Sequence, residues 1–259
     1  MGISFFINPA VYGSGGSGLP VIGSTLTHHY KTDGGITKDG SNRISQWDDE
    51  SGNGNHLVQL TGSAQPLHNS ANQLNGFDAI SLAGTKTTAE FLSSTGTLAF
   101  NSTIFIVFKV EYDGPGHDYY DVISSQYNTG AYGEVKIMSV WSLVGSGVKI
   151  NVRDRSQAVD PYRKEWNNYL FGKNTPVYAT LNITAPTGTS IRINGVDGGA
   201  GSESGTNFES SITGWNLGRM ENNNIGFDGD IWEIIIYDGN VTGDDRTSIE
   251  TYIKDKYAL

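Results

Sequence analysis

The 259-residue chain has no cysteine. That excludes disulfide staples and thiolate metal sites, and a domain of this length buries enough surface to fold without them. Charge is scarce too: Asp, Glu, Lys and Arg together make up 17% of the residues. Cations are the rarer sign, 17 Lys and Arg against 27 Asp and Glu, for a formal net charge of −10. Such a balance does not neutralise a phosphate backbone, so non-specific nucleic-acid binding is not expected. No apolar run reaches the roughly 18 residues that a membrane-spanning helix requires. Met1 to Pro9 lacks a basic start, a long apolar core and a small-residue cleavage site. The expectation is a protein made in a cytosol, not exported by the general route and not inserted in a membrane.

Glycine is abundant, 34 residues without a three-residue period, so collagen is excluded. Gly, Asn, Asp, Ser and Thr instead separate many short apolar runs, the pattern of tight turns between strands. Strands are predicted at 56–60, 77–82, 103–112, 120–125, 134–142, 147–153, 176–184, 189–194, 214–218 and 230–237. Val177, Ala179, Leu181 and Ile183 alternate with polar residues, as in a half-buried strand. The runs Ile104–Val110 and Ile231–Tyr237 are apolar almost throughout and read as central strands covered on both faces. Asn194-Gly195 and Asp113-Gly114 are turn candidates. One helix is predicted over 243–257, with Thr242 as its cap, Asp244 and Asp245 in its first turn, and Ile249, Tyr252, Ile253 and Tyr257 on one face. The fold class is all-β, an antiparallel sandwich with a short C-terminal helix.

Residues 1–22 stand apart from the domain at 23–259. Phe5, Phe6, Ile7, Val11 and Tyr12 are too apolar for a solvated tail, and the Gly-Ser-Gly-Gly-Ser-Gly run at 13–18 is a flexible linker. This extended arm is expected to anchor the chain to a partner.

Trp47-Asp48, the turn Ser51-Gly52-Asn53-Gly54-Asn55 and the strand at Leu57-Val58 lead an ordered set of motifs. Gln65-Pro66, Gly76–Ile80, Ile193-Asn194-Gly195, Leu217-Gly218-Arg219 and Phe227-Asp228-Gly229-Asp230-Ile231 follow, and then the helix. The set resembles the laminin-G-like branch of the concanavalin A-like lectin/glucanase jelly rolls, over roughly residues 25–259. The resemblance implies a jelly-roll sandwich. It does not fix a function, because this fold carries lectins, hydrolases and structural modules.

Several constellations carry chemical meaning. Asp228, Asp230 and Glu233 resemble the glucanase motif, with Asp where those enzymes have their first Glu. A period of two puts Asp230 and Glu233 on opposite faces unless a bulge intervenes, so no catalytic residue is assigned. Asp48, Asp49, Asn53 and Asn55 offer hard oxygens, as do Asp113, Asp118 and Asp121. They suit a structural Ca2+, although no cofactor is required and no ligand set stands out. The five histidines show no zinc spacing. No Gly-x-Ser-x-Gly elbow or P-loop is present. The segment Asp160–Tyr169 reads as an aromatic and polar loop, and Tyr162, Arg163, Trp166 and Tyr169 are its candidate glycan-binding residues.

The expectation is a non-enzymatic structural or adhesion protein. A phage virion component is the leading reading, as capsid decoration or tail-fibre protein, displaying a lectin-like jelly roll. Its arm would contact other virion proteins, its assembly would be homo-oligomeric, and host-surface glycans are its candidate ligands. The alternative is an extracellular carbohydrate-binding module of a surface or secreted protein, with a glycoside hydrolase third.

Overall fold

The computed structural model describes residues 18–84, 89–111, 118–126, 134–143, 147–155, 162–184, 188–205, 211–219 and 226–259; in 118–119, 134, 141–143, 155 and 167–169 only the backbone is described. The anchor residues Phe5, Phe6, Ile7, Val11 and Tyr12 and the Asp113-Gly114 turn lie outside these residues.

The strands are β1 (Leu26–Lys31), β2 (Ile36–Lys38), β3 (Ile44–Trp47), β4 (Leu57–Val58), β5 (Leu67–Leu74) and β6 (Phe77–Leu82). They continue with β7 (Leu92–Ala99), β8 (Asn101–Val110), β9 (Asp118–Ser125), β10 (Glu134–Leu143), β11 (Gly147–Arg155) and β12 (Tyr162–Phe171). The last are β13 (Val177–Thr184), β14 (Ser190–Ile193), β15 (Val196–Asp197), β16 (Ser202–Gly205), β17 (Ser211–Leu217) and β18 (Gly229–Asp238), followed by helix α1 (Gly243–Tyr257).

They form two antiparallel sheets. The eight-stranded sheet runs β15-β14-β13-β8-β18-β6-β5, with β1 also paired to β18. The ten-stranded sheet runs β16-β12-β11-β10-β9-β17-β7-β4-β3-β2. β18 is the hub of the first sheet: β8 pairs along one side, while β6 takes Gly229–Ile231 and β1 takes Glu233–Tyr237 on the other. Its near-continuous apolar sequence follows from this position, because both of its faces are covered. Ile231, Ile234 and Ile236 join the core between the sheets. Trp232, Ile235 and Tyr237 join a second core beneath α1, with Ile249, Tyr252, Ile253 and Tyr257. The molecule is thus layered as sheet, sheet and helix.

Several elements match the sequence pattern. α1 occupies the predicted span, and β14 and β15 form a hairpin whose two-residue loop, Asn194-Gly195, has positive φ at both positions (50° and 78°). Such a loop requires the left-handed region twice, which Asn and Gly supply at low cost. Thr242 is extended before α1, but its side chain makes no capping bond. Asp245 instead accepts a bond from the Gly23 N–H, 3.2 Å away. Leu19 and Ile22, placed with the arm from sequence, pack against the core under α1. The largest departure is segment 160–169. From Tyr162 onward it is strand β12, not a loop, and its polar Arg-Lys-Glu centre masked a period-two pattern in which Tyr162 and Trp166 point into the core.

The tryptophan motif is structural. Trp47 is fully buried, its ring 5.6 Å from that of Tyr30, and its indole N–H donates to the Lys31 carbonyl (2.9 Å). Tyr30 in turn meets Trp215 edge-on at 6.0 Å. Asp49 fixes the following turn. Its Oδ1 accepts the N–H groups of His29 (2.9 Å) and Ser51 (3.0 Å), and its Oδ2 accepts the Asn55 N–H (3.0 Å) and the Ser51 hydroxyl (2.8 Å). Ser51 and Asn53 side chains also donate to the Thr27 carbonyl, each at 3.0 Å. The turn is thereby sewn to β1.

Burial alone would raise the Asp49 pKa, but the donors from His29, Ser51 and Asn55 outweigh it and hold the carboxyl below its usual value of 3.8. A lowered folded pKa contributes stability above the ordinary value, and that contribution disappears as pH falls through the lowered one. Asp49→Asn is therefore expected to cost about 1–3 kcal/mol at neutral pH. It should also flatten the acid limb of the stability curve, as urea denaturation between about pH 5 and pH 2 would show.

Candidate functional site

The two outer faces of the sandwich differ. On the eight-stranded sheet α1 covers an apolar surface. On the ten-stranded sheet the register aligns polar residues of the outer face in two rows. The first runs Asp121, Ser139, Asn151, Glu165 and Ser202, each opposite the next on β9, β10, β11, β12 and β16. The second runs Ser93, Asn216, Ser124, Lys136, Arg153 and Arg163, across β7, β17, β9, β10, β11 and β12, and ends opposite Ser204.

Bulges make the rows continuous. In β10 the register shifts between Lys136 and Ser139, so Ile137 and Met138 both enter the core and the flanking polar residues both face out. β9 answers with Val122 and Ile123 in the core between Asp121 and Ser124. Without these extra residues one member of each pair would point inward.

The rows are tied together by charge and hydrogen bonds. Lys136 Nζ lies 3.2 Å from Asp121 Oδ1, the same oxygen that accepts the Ser139 hydroxyl. Arg163 pairs with Glu165, and the Ser93 hydroxyl donates to Asn216 Oδ1 (2.7 Å). Asp121, Ser139 and Asn151 are buried, yet Asp121 Oδ2 and Asn151 Oδ1 have no hydrogen-bond partner. Buried acceptors in that state are uncommon and mark places where a donor is expected. Asp121, Ser139 and Asn151 are closed to solvent; Glu165, Ser202 and Ser204 are members of the rows that solvent reaches, and their oxygens can hydrogen-bond a polyhydroxylated ligand.

Of the glycan-binding candidates whose side chains are described, Arg163 alone lies on this face. Tyr162 and Trp166 are corrected: both are buried in the core between the sheets, where no sugar ring can stack on them. Trp166 also donates its indole N–H to the Gly199 carbonyl (3.1 Å). The Tyr169 side chain lies outside the described residues. Sequence reading missed Lys136, Ser139, Asn151 and Arg153, because isolated polar residues within apolar strands announce a shared face only once the register is known. Asp121 was noted for its oxygens alone.

Asp230 and Glu233 are not on opposite faces. The β18 register shifts between Ile231 and Glu233, which turns both outward, beneath and beside α1. Each is buried in its own network. Asp230 contacts Lys109 (2.7 Å), Asn72 (3.2 Å) and Ser81. Glu233 contacts His29 (2.7 Å), Tyr252 (2.9 Å) and Lys256 (3.1 Å). Burial alone would raise the Glu233 pKa, but the His29 hydrogen bond and the Lys256 charge hold it below the usual range. The oxygens proposed for Ca2+ at Asp49 are occupied by backbone donors. Among the described residues no three His, Cys, Asp or Glu gather around a common point.

No family model and no curated protein matches the chain. Solved structures do share its fold. Domain 4 of AbnA, an extracellular arabinanase of Geobacillus stearothermophilus, in complex with arabinotriose, is similar with a TM-score of 0.54 at 15% identity, covering 90% of this chain and 98% of that one. A Trypanosoma rangeli sialidase in complex with sialic acid gives 0.52 at 9% identity, over 93% of this chain and 34% of the sialidase. An α-L-arabinofuranosidase gives 0.53 at 20% identity, over 83% and 51%. The chain therefore spans one such domain and about a third to a half of the two larger enzymes. At these identities the likeness establishes a β-sandwich fold shared with carbohydrate-active proteins. The expectation of a non-enzymatic protein is corrected by the same finding, since a sialidase and an arabinofuranosidase carry this fold.

The Asp121 contacts can be tested directly. Asp121→Ala removes the buried partner of Lys136 and Ser139 and is expected to lower stability by about 3–5 kcal/mol, measured by urea denaturation.

Proposed function

We propose that this chain is a laminin-G-like jelly roll that binds carbohydrate on the outer face of its ten-stranded sheet. The observation that supports the reading most is the fold shared with domain 4 of AbnA, a structure in complex with arabinotriose, over 90% of this chain, beside the partly exposed Glu165, Ser202 and Ser204 of the first polar row. Sugar hydroxyls supply donors at the spacing of side chains on neighbouring strands. The arabinotriose complex of domain 4 of AbnA supports the same ligand class. Display on a virion, through residues 1–22, is a finer reading that rests on the sequence alone. Calorimetric titration against a panel of arabinan, galactan, xylan and sialylated oligosaccharides is expected to show binding. Glu165→Ala should weaken it about tenfold, the equivalent of one hydrogen bond. A panel without a single binder would overturn the proposal.

A further inference from the structure

The segment leading into β1 lies along α1. Leu19 and Ile22 pack into the core beneath the helix, and the Gly23 N–H donates to Asp245 (3.2 Å). Between this segment and the helix runs a groove of about 350 Å3, bordered by Gly18 and Pro20 on one side. Small-ligand sites have volumes of roughly 300–1,000 Å3. The groove opens on the α1 side of the molecule, away from the polar rows of the ten-stranded sheet. On the helix side Thr247, Thr251 and Asp255 line it at intervals of four residues, with Ser248 beside the first, and all four are exposed. Four residues advance the helix by about 6 Å, close to the length of one sugar ring.

The hydrogen-bonding capacity of these walls is one-sided. The Thr247 hydroxyl donates to the Gly243 carbonyl (3.0 Å) and the Ser248 hydroxyl to the Asp244 carbonyl (2.8 Å). Each has used its one donor within the helix and keeps oxygen lone pairs facing solvent. Asp255 is acceptor only, and among the described residues its carboxylate has neither a hydrogen bond nor an ion pair. Pro20 has no N–H to offer. The Tyr252 hydroxyl is engaged with Glu233 (2.9 Å), so this residue adds its carbon surface to the wall. No cation is among the lining residues, and Lys256 of the same helix is turned to Glu233 (3.1 Å) and Asp33 (3.4 Å).

Such walls match a ligand that donates: hydroxyls to the line of oxygens, and one positive charge to Asp255. A simple ammonium uses one acceptor of the four. A neutral sugar leaves the carboxylate without a counter-charge. A sugar with a free amino group uses them all. We infer that the groove is a second carbohydrate site, for an amino sugar, in which Asp255 pairs with the ammonium and Thr247, Ser248 and Thr251 accept hydroxyl hydrogens. It shares no residue with the face proposed above and stands or falls apart from it.

The test titrates the whole chain with a glucosamine hexamer and with its N-acetylated form, which lacks the charged amine. At mildly acidic pH calorimetry is expected to show the amine form bound roughly tenfold more tightly, the worth of one charge-assisted hydrogen bond. Asp255→Asn should remove the preference, and Thr251→Val should weaken the amine form severalfold. If either variant fails to fold by circular dichroism, the wild-type comparison of the two hexamers still decides. Asp238→Asn alters an exposed acid outside the groove by the same charge and should change nothing. Should it weaken binding as much as Asp255→Asn does, the attraction is that of an acidic protein for any cation, and the inference falls. Equal binding of the two hexamers, or binding of neither, overturns it as well. A tetralysine peptide that binds as tightly and displaces the hexamer overturns the sugar assignment in favour of a protein lysine. A saturating ligand from the neutral panel should leave the amine form bound; displacement means one shared site and overturns the groove. Each of these failures leaves the ten-stranded face to be decided by its own panel.

Discussion

The structure depends on one strand being buried on both faces. β18 has nothing but protein on either side along almost its whole length: its residues from Gly229 to Tyr237 are all buried. A strand in that position requires two covering layers. The ten-stranded sheet supplies one, through the core that contains Ile231, Ile234 and Ile236. α1 supplies the other, through Trp232, Ile235 and Tyr237. The helix is therefore part of the fold and not an appendage to it. It adds an ionic tie as well, since Tyr252 and Lys256 of the helix meet β1 and β18 at the Glu233 carboxyl. A carboxylate buried there is tolerable only because His29, Tyr252 and Lys256 surround it; removing any of them leaves charge without its compensation.

Bulges carry out a second task. In β18, β9 and β10 an extra residue changes which neighbours share a face. The effect in β18 is to bring Asp230 and Glu233 to the helix side. In β9 and β10 the effect is reversed, since two consecutive apolar residues go inward and the polar residues on either side go outward. Paired bulges on adjacent strands keep the two polar rows in register with one another. Had β10 alone been bulged, Lys136 and Ser139 could not both stand opposite outward residues of β9. The outer face of the ten-stranded sheet is thus specified by backbone irregularity as much as by side-chain identity.

Those irregularities set the limit of what the sequence makes legible. Long apolar runs such as Ile104–Val110 and Ile231–Tyr237 declare buried strands without help. Asn194-Gly195 declares its hairpin because few other pairs accept positive φ twice. The Trp47 motif declares a turn, and the contacts of Asp49 explain why an acid follows the tryptophan. β1 and β7 are harder to see, since His28-His29 and Ser93-Ser94-Thr95 are polar on both alternations. β12 is hardest. Its inward residues are Tyr162, Lys164 and Trp166, and the lysine in the middle breaks the apolar signal; the structure pairs Lys164 with Glu203 (2.8 Å) at the sheet edge. Reading that segment as a loop missed that the rings of Tyr162 and Trp166 pack in the core between the sheets, because aromatic residues in a strand are more often packing than platform. Polar rows are legible only from register, which single-strand patterns do not contain.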